Sequence, residues 1–328
     1  MLVLSRENVQ TLASMPKAIE LVKVAFAELS EGRALTPLRL SLAVNAESAT
    51  SLVMAAYVPA AAALGVKVVS VFGRNADRGL PTIASLVTMI DDETGQPLAI
   101  MDGAYLTALR TGAVSGAATD LLAREDSKVV TVIGAGAQAL TQAAAVCAVR
   151  PIERVIVTAR SRASLNRFRE RLSEDWPDLV NRLETSLDTP AAVRDADIVC
   201  TATSSPTPVF EDADLQPGTH INGVGSFTPR MREIPSRTVA RALVVVDQLE
   251  PALKEAGDLL IPLREGLIRR DHISRELGHL VTRKVGGRTS DDEITFFKSV
   301  GNAVQDVVVG RFVYDEAIRR QVGQSVDL

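Results

Sequence analysis

The chain has 328 residues, 46% of them hydrophobic and 23% charged, with 40 acidic against 36 basic side chains. That near balance, at a net charge of −4, suggests no nucleic-acid or anionic-membrane partner. No run approaches ~18 uncharged apolar residues, and Met1–Gln10 carries Arg6 and Glu7 where a signal peptide needs its apolar region, so a cytoplasmic protein with room for two domains is expected.

Ser5 and Glu7 precede a helix signal. Met15–Leu29 then repeats apolar residues at Ile19, Val22, Val24 and Phe26, which predicts an amphipathic helix ended at Gly32. Leu38–Val44, Ser51–Tyr57 and Gly65–Phe72 read as strands, broken by an acidic loop near Glu47 and by Ala60–Ala63. Ala84–Asp91 and Pro97–Asp102 follow, joined by Asp92–Gly95, which has hairpin-turn chemistry. This part of the chain therefore predicts a mostly antiparallel sheet preceded by one helix. Gly103–Ala123 reads as a long helix with Leu106, Leu109, Val114, Ala117 and Leu121 on one face, and it is the expected connector between domains.

Next comes Lys128–Val149, KVVTVIGAGAQALTQAAAVCAV, in which a β-branched run stops at Gly134-Ala-Gly136-Ala-Gln-Ala139 and an alanine-rich helical segment follows. Strand, glycine turn and helix are the context that gives a G-x-G-x-x-G/A pattern its meaning as a dinucleotide fingerprint. Gly134 permits the turn, Gly136 has no Cβ to block a pyrophosphate, and Ala139 lets the helix lie close to the strand. The helix N-terminus offers free N–H groups to the phosphates. Strand and helix then alternate: Arg154–Thr158, Arg162–Leu172, Pro190–Arg194, Asp197–Ala202, His220–Val224 and Leu243–Asp247. This predicts an α/β fold with a Rossmann-type, doubly wound parallel sheet. Gly266–Leu280 reads as short surface helices, and Asp292–Tyr314 as a helix with Phe296, Val300, Ala303, Val304, Val307 and Val308 apolar.

An acid that binds the adenosine ribose belongs at the end of the second strand of such a unit. The residues there are Val157-Thr158-Ala159-Arg160-Ser161-Arg162, with no carboxylate. Arginine pairs a 2′-phosphate bidentately, so NADP(H) is expected in preference to NAD(H), unless Arg160 and Arg162 are merely solvated at a helix start. Lys67 lies in the apolar strand LGVKVVSVF. Either its head reaches water at an edge, or it offers a cation inside a pocket. Arg39 sits on a predicted strand, and Arg110, followed by Thr111, on the connector helix. Both suit an anionic substrate or a cofactor phosphate, or else a surface salt bridge. Asp102, Asp247 and Asp306 end apolar runs and read as capping or loop carboxylates. Cys147 and Cys200 read as buried free thiols, and His220, His272 and His279 form no metal pattern, so no metal is expected.

LTALRTGAVSGAAT (Leu106–Thr119) followed by VIGAGAQA resembles the ornithine cyclodeaminase/mu-crystallin family. Leu52–Phe72, Gly218–Glu233 (GTHINGVGSFTPRMRE) and Lys298–Asp306 (KSVGNAVQD) agree. The resemblance implies a substrate-binding and dimerisation domain over 1–115, joined by 306–328, and a dinucleotide-binding Rossmann domain over 116–305, in a homodimer. It implies nicotinamide chemistry at Cα of amino acids and cyclic imines. Arg39, Lys67 and Arg110 stand as its cations facing the substrate carboxylate and imine, with Lys67 as the catalytic candidate. Thr82, Ala137, Gln138, Ser204, Val224 and Ser299 match its cofactor contacts, alongside Arg110, Thr111, Gly134, Gly136, Arg160, Ser161 and Arg162. Arg160 stands where NADP-type members keep arginine and NAD-type cyclodeaminases keep aspartate. True cyclodeaminases carry an aspartate two residues before Pro229, whereas Phe227 stands here, and phenylalanine can neither hold an amine nor move a proton. The activity implied is reduction of a cyclic α-imino acid, Δ1-pyrroline-2-carboxylate or Δ1-piperideine-2-carboxylate. An open-chain amino-acid dehydrogenase, a cyclodeaminase and a non-catalytic cofactor-binding protein remain the alternatives.

Overall fold

A computed structural model describes residues 1–44 and 49–327, so the expected acidic loop near Glu47 lies outside the described residues. The chain divides into two units, Met1–Arg110 with Asn302–Leu328, and Thr111–Gly301.

The first unit is built on strands β1 (Leu2–Leu4), β2 (Leu40–Ala43), β3 (Ala49–Val58), β4 (Ala63–Phe72), β5 (Ile83–Ile90) and β6 (Pro97–Asp102). With the two-residue strand Gln324–Ser325 at one edge, the order across the sheet is Gln324–Ser325, β1, β6, β5, β4, β3, β2. Strands β2 to β6 pair antiparallel, as their alternation predicts. The sheet is nevertheless mixed, because β1 pairs parallel with β6. The single expected helix is two, α1 (Arg6–Leu12) and α2 (Met15–Ser30). Pro16, in the first turn of α2, has no N–H to continue a helix from α1, and the Ser14 hydroxyl caps the new start by accepting from the Lys17 N–H. The helices α2 and Ala303–Arg320 pack on one face of the sheet. On β4 the alternation sends Ala63, Gly65, Lys67 and Val69 to the buried side.

The second unit holds eight parallel strands: β7 (Val129–Ile133), β8 (Arg154–Thr158), β9 (Leu183–Ser186), β10 (Ile198–Thr201), β11 (His220–Gly223), β12 (Leu243–Val246), β13 (Arg275–Glu276) and β14 (Thr295–Lys298). Their order is β13-β12-β14-β11-β10-β7-β8-β9. The chain leaves β7 toward β8 and β9, then returns to β10 and β11 on its other side, so the topological switch point lies between β7 and β10. The core gathers Ile133, Val199, Ile221, Val244, Val246 and Phe296. The helices that matter here are α3 (Gly103–Leu122), inside which the Arg110/Thr111 join falls, α4 (Ala137–Val149) and α5 (Arg162–Asp175).

One expected element is overturned. Asp292–Tyr314 is not a single helix: its first part is β14, with Phe296 and Phe297 fully buried, and the helix begins only at Ala303. Gly301 takes a φ of +82°, and the Asn302 side chain caps the helix by accepting from the Val304 N–H at 3.0 Å. The apolar residues on either side of that break fit one helical spacing, which is why the two elements read as one.

Candidate functional site

In the first unit, β4 carries Lys67 at its centre, opposite Met54 of β3 and Val87 of β5. The lysine is 1% exposed, so its head does not reach water. Its Nζ lies 2.6 Å from Oδ2 of Asp306, in the first turns of helix Ala303–Arg320. The other oxygen, Oδ1, lies 3.0 Å from Nε of Arg110, whose Nη1 donates to Oε1 of Gln305 at 3.0 Å. Asp306 is therefore not the end-of-run cap that its sequence context suggests, but a buried carboxylate bridging two cations. Each of its oxygens meets one cation, so both ion pairs leave acceptor capacity unspent. Burial, then repulsion from Arg110, lowers the Lys67 pKa to about 7 against the pull of Asp306; Arg39 adds further repulsion. Arg39, half-buried just before β2, is thus electrostatically part of this cluster, although it precedes the strand rather than lying on it. An amine poised at neutral pH beside a fixed guanidinium can bind a carboxylate and give or take a proton.

In the second unit, the turn after β7 has the form its glycines predict. Gly134 adopts a φ of +114°, and a Cβ there would lie 2.7 Å from the carbonyl oxygen of Ala202. Gly136 faces open space and precedes α4 with no side chain capping the helix start. The first N–H groups of α4, at Ala137 and Gln138, are available to an anion, and Oε1 of Gln138 is buried without a partner. Ala139 is fully buried. These features fit a dinucleotide pyrophosphate. At the end of β8, Arg160, Ser161 and Arg162 are exposed and no carboxylate intervenes. Ser161 caps α5, accepting from the Ser164 N–H at 3.3 Å.

The remaining candidates divide between the units. Thr111, buried on α3, accepts a hydrogen bond at its carbonyl from Gln142 at 3.2 Å. Ser204 is exposed in the loop after β10, and Val224 is half-buried after β11. Ser299, after β14, donates its hydroxyl to Asp247 at 2.7 Å and accepts from the Gly301 N–H at 3.1 Å, which leaves one acceptor lone pair for a cofactor. Thr82 stands apart in the first unit, exposed before β5. Asp102 accepts from the Tyr105 N–H at the start of α3, and Asp247 accepts from Val300 and Gly301, so both act as the cap and loop carboxylates expected. Residues that the sequence reading passed over are Asp306, as a partner of Lys67, and Glu233, Asp258 and Lys298, a buried charge cluster in the second unit. Glu233, Lys298 and Asp306 lie in the segments that carry the family resemblance, but only the fold shows that their heads are buried. His220 is satisfied internally, by Thr295 at 2.8 Å and Asn222 at 3.2 Å, and burial lowers its pKa to about 3. No helix of the described residues is long and apolar enough to cross a membrane.

The ornithine cyclodeaminase/mu-crystallin family model matches residues 1–321, and the chain belongs to that family. It is 42% identical, over the whole of both chains, to a Δ1-pyrroline-2-carboxylate reductase of Bacillus cereus. Among solved structures it is similar to the Thermococcus litoralis Δ1-pyrroline-2-carboxylate reductase in complex with NADH and L-proline, with a TM-score of 0.95, 41% identity and 99% and 100% of the two chains covered. An archaeal alanine dehydrogenase dimer with bound NAD gives a TM-score of 0.91 at 33% identity, covering 100% and 99%.

Proposed function

We propose that the protein is an NAD(P)H-dependent reductase of a cyclic α-imino acid, Δ1-pyrroline-2-carboxylate or Δ1-piperideine-2-carboxylate, yielding the cyclic amino acid. The observation that carries this reading is the Lys67–Asp306–Arg110 arrangement. With Lys67 protonated, two cations share one carboxylate and retain a positive charge for a substrate carboxylate. Arg39 and Arg110 hold that carboxylate, and Lys67 contacts it or the imine side. The Gly134–Gln138 turn and the loops after β10, β11 and β14 hold the dinucleotide, which supplies a hydride when bound. The imine carbon gains the hydride and the ring nitrogen ends as an ammonium. Lys67, titrating near neutrality, is placed to furnish the proton. Phe227, 42% exposed, puts a phenyl ring where cyclodeamination needs a carboxylate, so simple reduction is favoured.

The likeness to alanine dehydrogenases supports a second reading, reduction of an open-chain imine formed from a 2-oxo acid and ammonia. The two readings part in one assay: a panel of cyclic imino acids, and pyruvate with ammonia, each tested against NADH and NADPH. Oxidation with a cyclic imine and no ammonia supports the first; strict ammonia dependence supports the second; no oxidation with any member removes both. Arg160 and Arg162, with no acid between them and β8, favour NADPH in the same panel. The similar solved structures hold NADH or NAD, so a lower KM for NADH would remove that preference. A homodimer is part of the proposal. Leu40, Val53, Val68 and Leu86 form one cross-strand row over β2, β3, β4 and β5, with Leu40 58% and Leu86 42% exposed. A second copy covering that apolar row predicts a mass of two chains by light scattering, reduced to one by Leu86→Glu. A monomeric wild-type protein would remove it.

A further inference from the structure

We propose that Glu233 is the positioning residue for the nicotinamide end of the cofactor, its carboxylate tying together the two loops that leave β10 and β11. The inference rests on the nucleotide reading of the second unit. Glu233 is fully buried, and everything its carboxylate touches in hydrogen bonding donates to it. Oε1 accepts from the backbone N–H of Thr203 at 2.6 Å and from the Thr203 hydroxyl at 2.8 Å. Oε2 accepts from the N–H groups of Gly225 at 2.8 Å and Ser226 at 3.0 Å. Each oxygen thus serves a different loop, and a carboxylate, with two accepting oxygens on one side chain, is the group that can serve both.

The support behind it is equally specific. Oδ1 of Asp258 accepts from the N–H groups of Glu233 at 2.6 Å and Ile234 at 3.0 Å, fixing the backbone from which the clamp projects. Oδ2 of Asp258 pairs at 3.0 Å with Nζ of Lys298, the last residue of β14. All three side chains are fully buried, a costly way to gain stability that apolar packing would supply more cheaply. What the carboxylate adds is position. The loops meet so closely at Gly225 that a Cβ there would run into the carbonyl oxygen of Thr203 and the carboxylate itself.

The location gives the clamp its function. The loops carry Ser204 and Val224 at the carboxyl ends of β10 and β11, on the side of β7 away from β8 and β9. In a doubly wound unit the adenosine lies toward β8, so the nicotinamide end lies toward these loops.

The test measures Kd for NADPH and for 2′,5′-ADP, an adenosine-end probe, on the full chain without imine. Glu233→Gln keeps the shape but turns an NH2 toward one set of donors. It is expected to raise the NADPH Kd about tenfold or more and leave the 2′,5′-ADP Kd within about twofold. Gly225→Ala, which keeps Glu233 but forces the loops apart, is expected to give the same split. Should Glu233→Gln fail to fold, Thr203→Val, which removes one donor of the four, is expected to weaken NADPH alone by about threefold. An unchanged NADPH Kd in all folded variants, or parallel weakening of both probes, overturns the proposal. Wild-type protein binding neither probe, and not NADH either, would instead remove the nucleotide reading itself.

Discussion

One buried carboxylate in each unit is held in an opposite way. In the first, each oxygen of Asp306 meets a single cation, Lys67 or Arg110, and Lys67 is held near its titration point. In the second, the Glu233 carboxylate meets four donors and Asp247 meets Ser299, Val300, Gly301 and Gln248. A saturated carboxylate fixes a loop; an under-saturated one leaves capacity for something that arrives later. That difference separates residues proposed to do chemistry from residues that hold the chemistry in place.

If the contrast is sound, the largest loss comes from the first cluster. Lys67→Ala is expected to lower kcat/KM for imine reduction by about a thousandfold, in the range of a lost acid–base group, with the NADPH Kd unchanged. Wild-type turnover in that variant would erase the catalytic assignment. Asp306→Asn comes next, at about a hundredfold. It also removes the attraction that holds the Lys67 proton, so the Lys67 pKa falls below its value of about 7. Arg110 and Lys67 then lie buried without a counter-charge, and a stability loss of about 3–5 kcal/mol is expected in a denaturant titration. A smaller effect belongs to Arg160→Ala with Arg162→Ala: KM for NADPH rises about tenfold and KM for NADH stays within about twofold. Equal changes for the two nucleotides would remove the 2′-phosphate contact. The least is expected of Asp247→Asn. Three of its donors converge on Oδ2 and an amide oxygen can still accept them, so only the Gln248 contact is lost and the cofactor KM rises about two- to threefold. A loss as large as that of Glu233→Gln would show that saturation does not rank these carboxylates.

The same division explains what could be read from sequence. The Gly134 turn was legible because its requirements are local: a positive φ, close backbone, an uncapped helix start. The alternating strands of the first unit were legible from period-two burial. Lys67 offered two readings because a strand lysine does not declare which face a distant helix covers. Asp306, 239 positions further on, supplies that answer only after folding. It read as a cap because its helix was fused, by a continuous apolar spacing, to the strand containing Phe296 and Phe297. Glu233 carried no signal of its own, since a glutamate between an arginine and an isoleucine reads as surface until its four donors are in place.

The central claim is that Lys67, tuned by Asp306 and Arg110, must be protonated to take the imino acid. The pH dependence of kcat/KM for Δ1-pyrroline-2-carboxylate reduction tests it most directly, measured in the wild type and in Asp306→Asn. A lysine with its pKa lowered to about 7 is charged below that pH and neutral above it, so kcat/KM falls as pH rises through about 7. In Asp306→Asn the same limb moves to lower pH, which titration of the free imine cannot mimic. A limb at the same pH in both proteins, or none, contradicts the account.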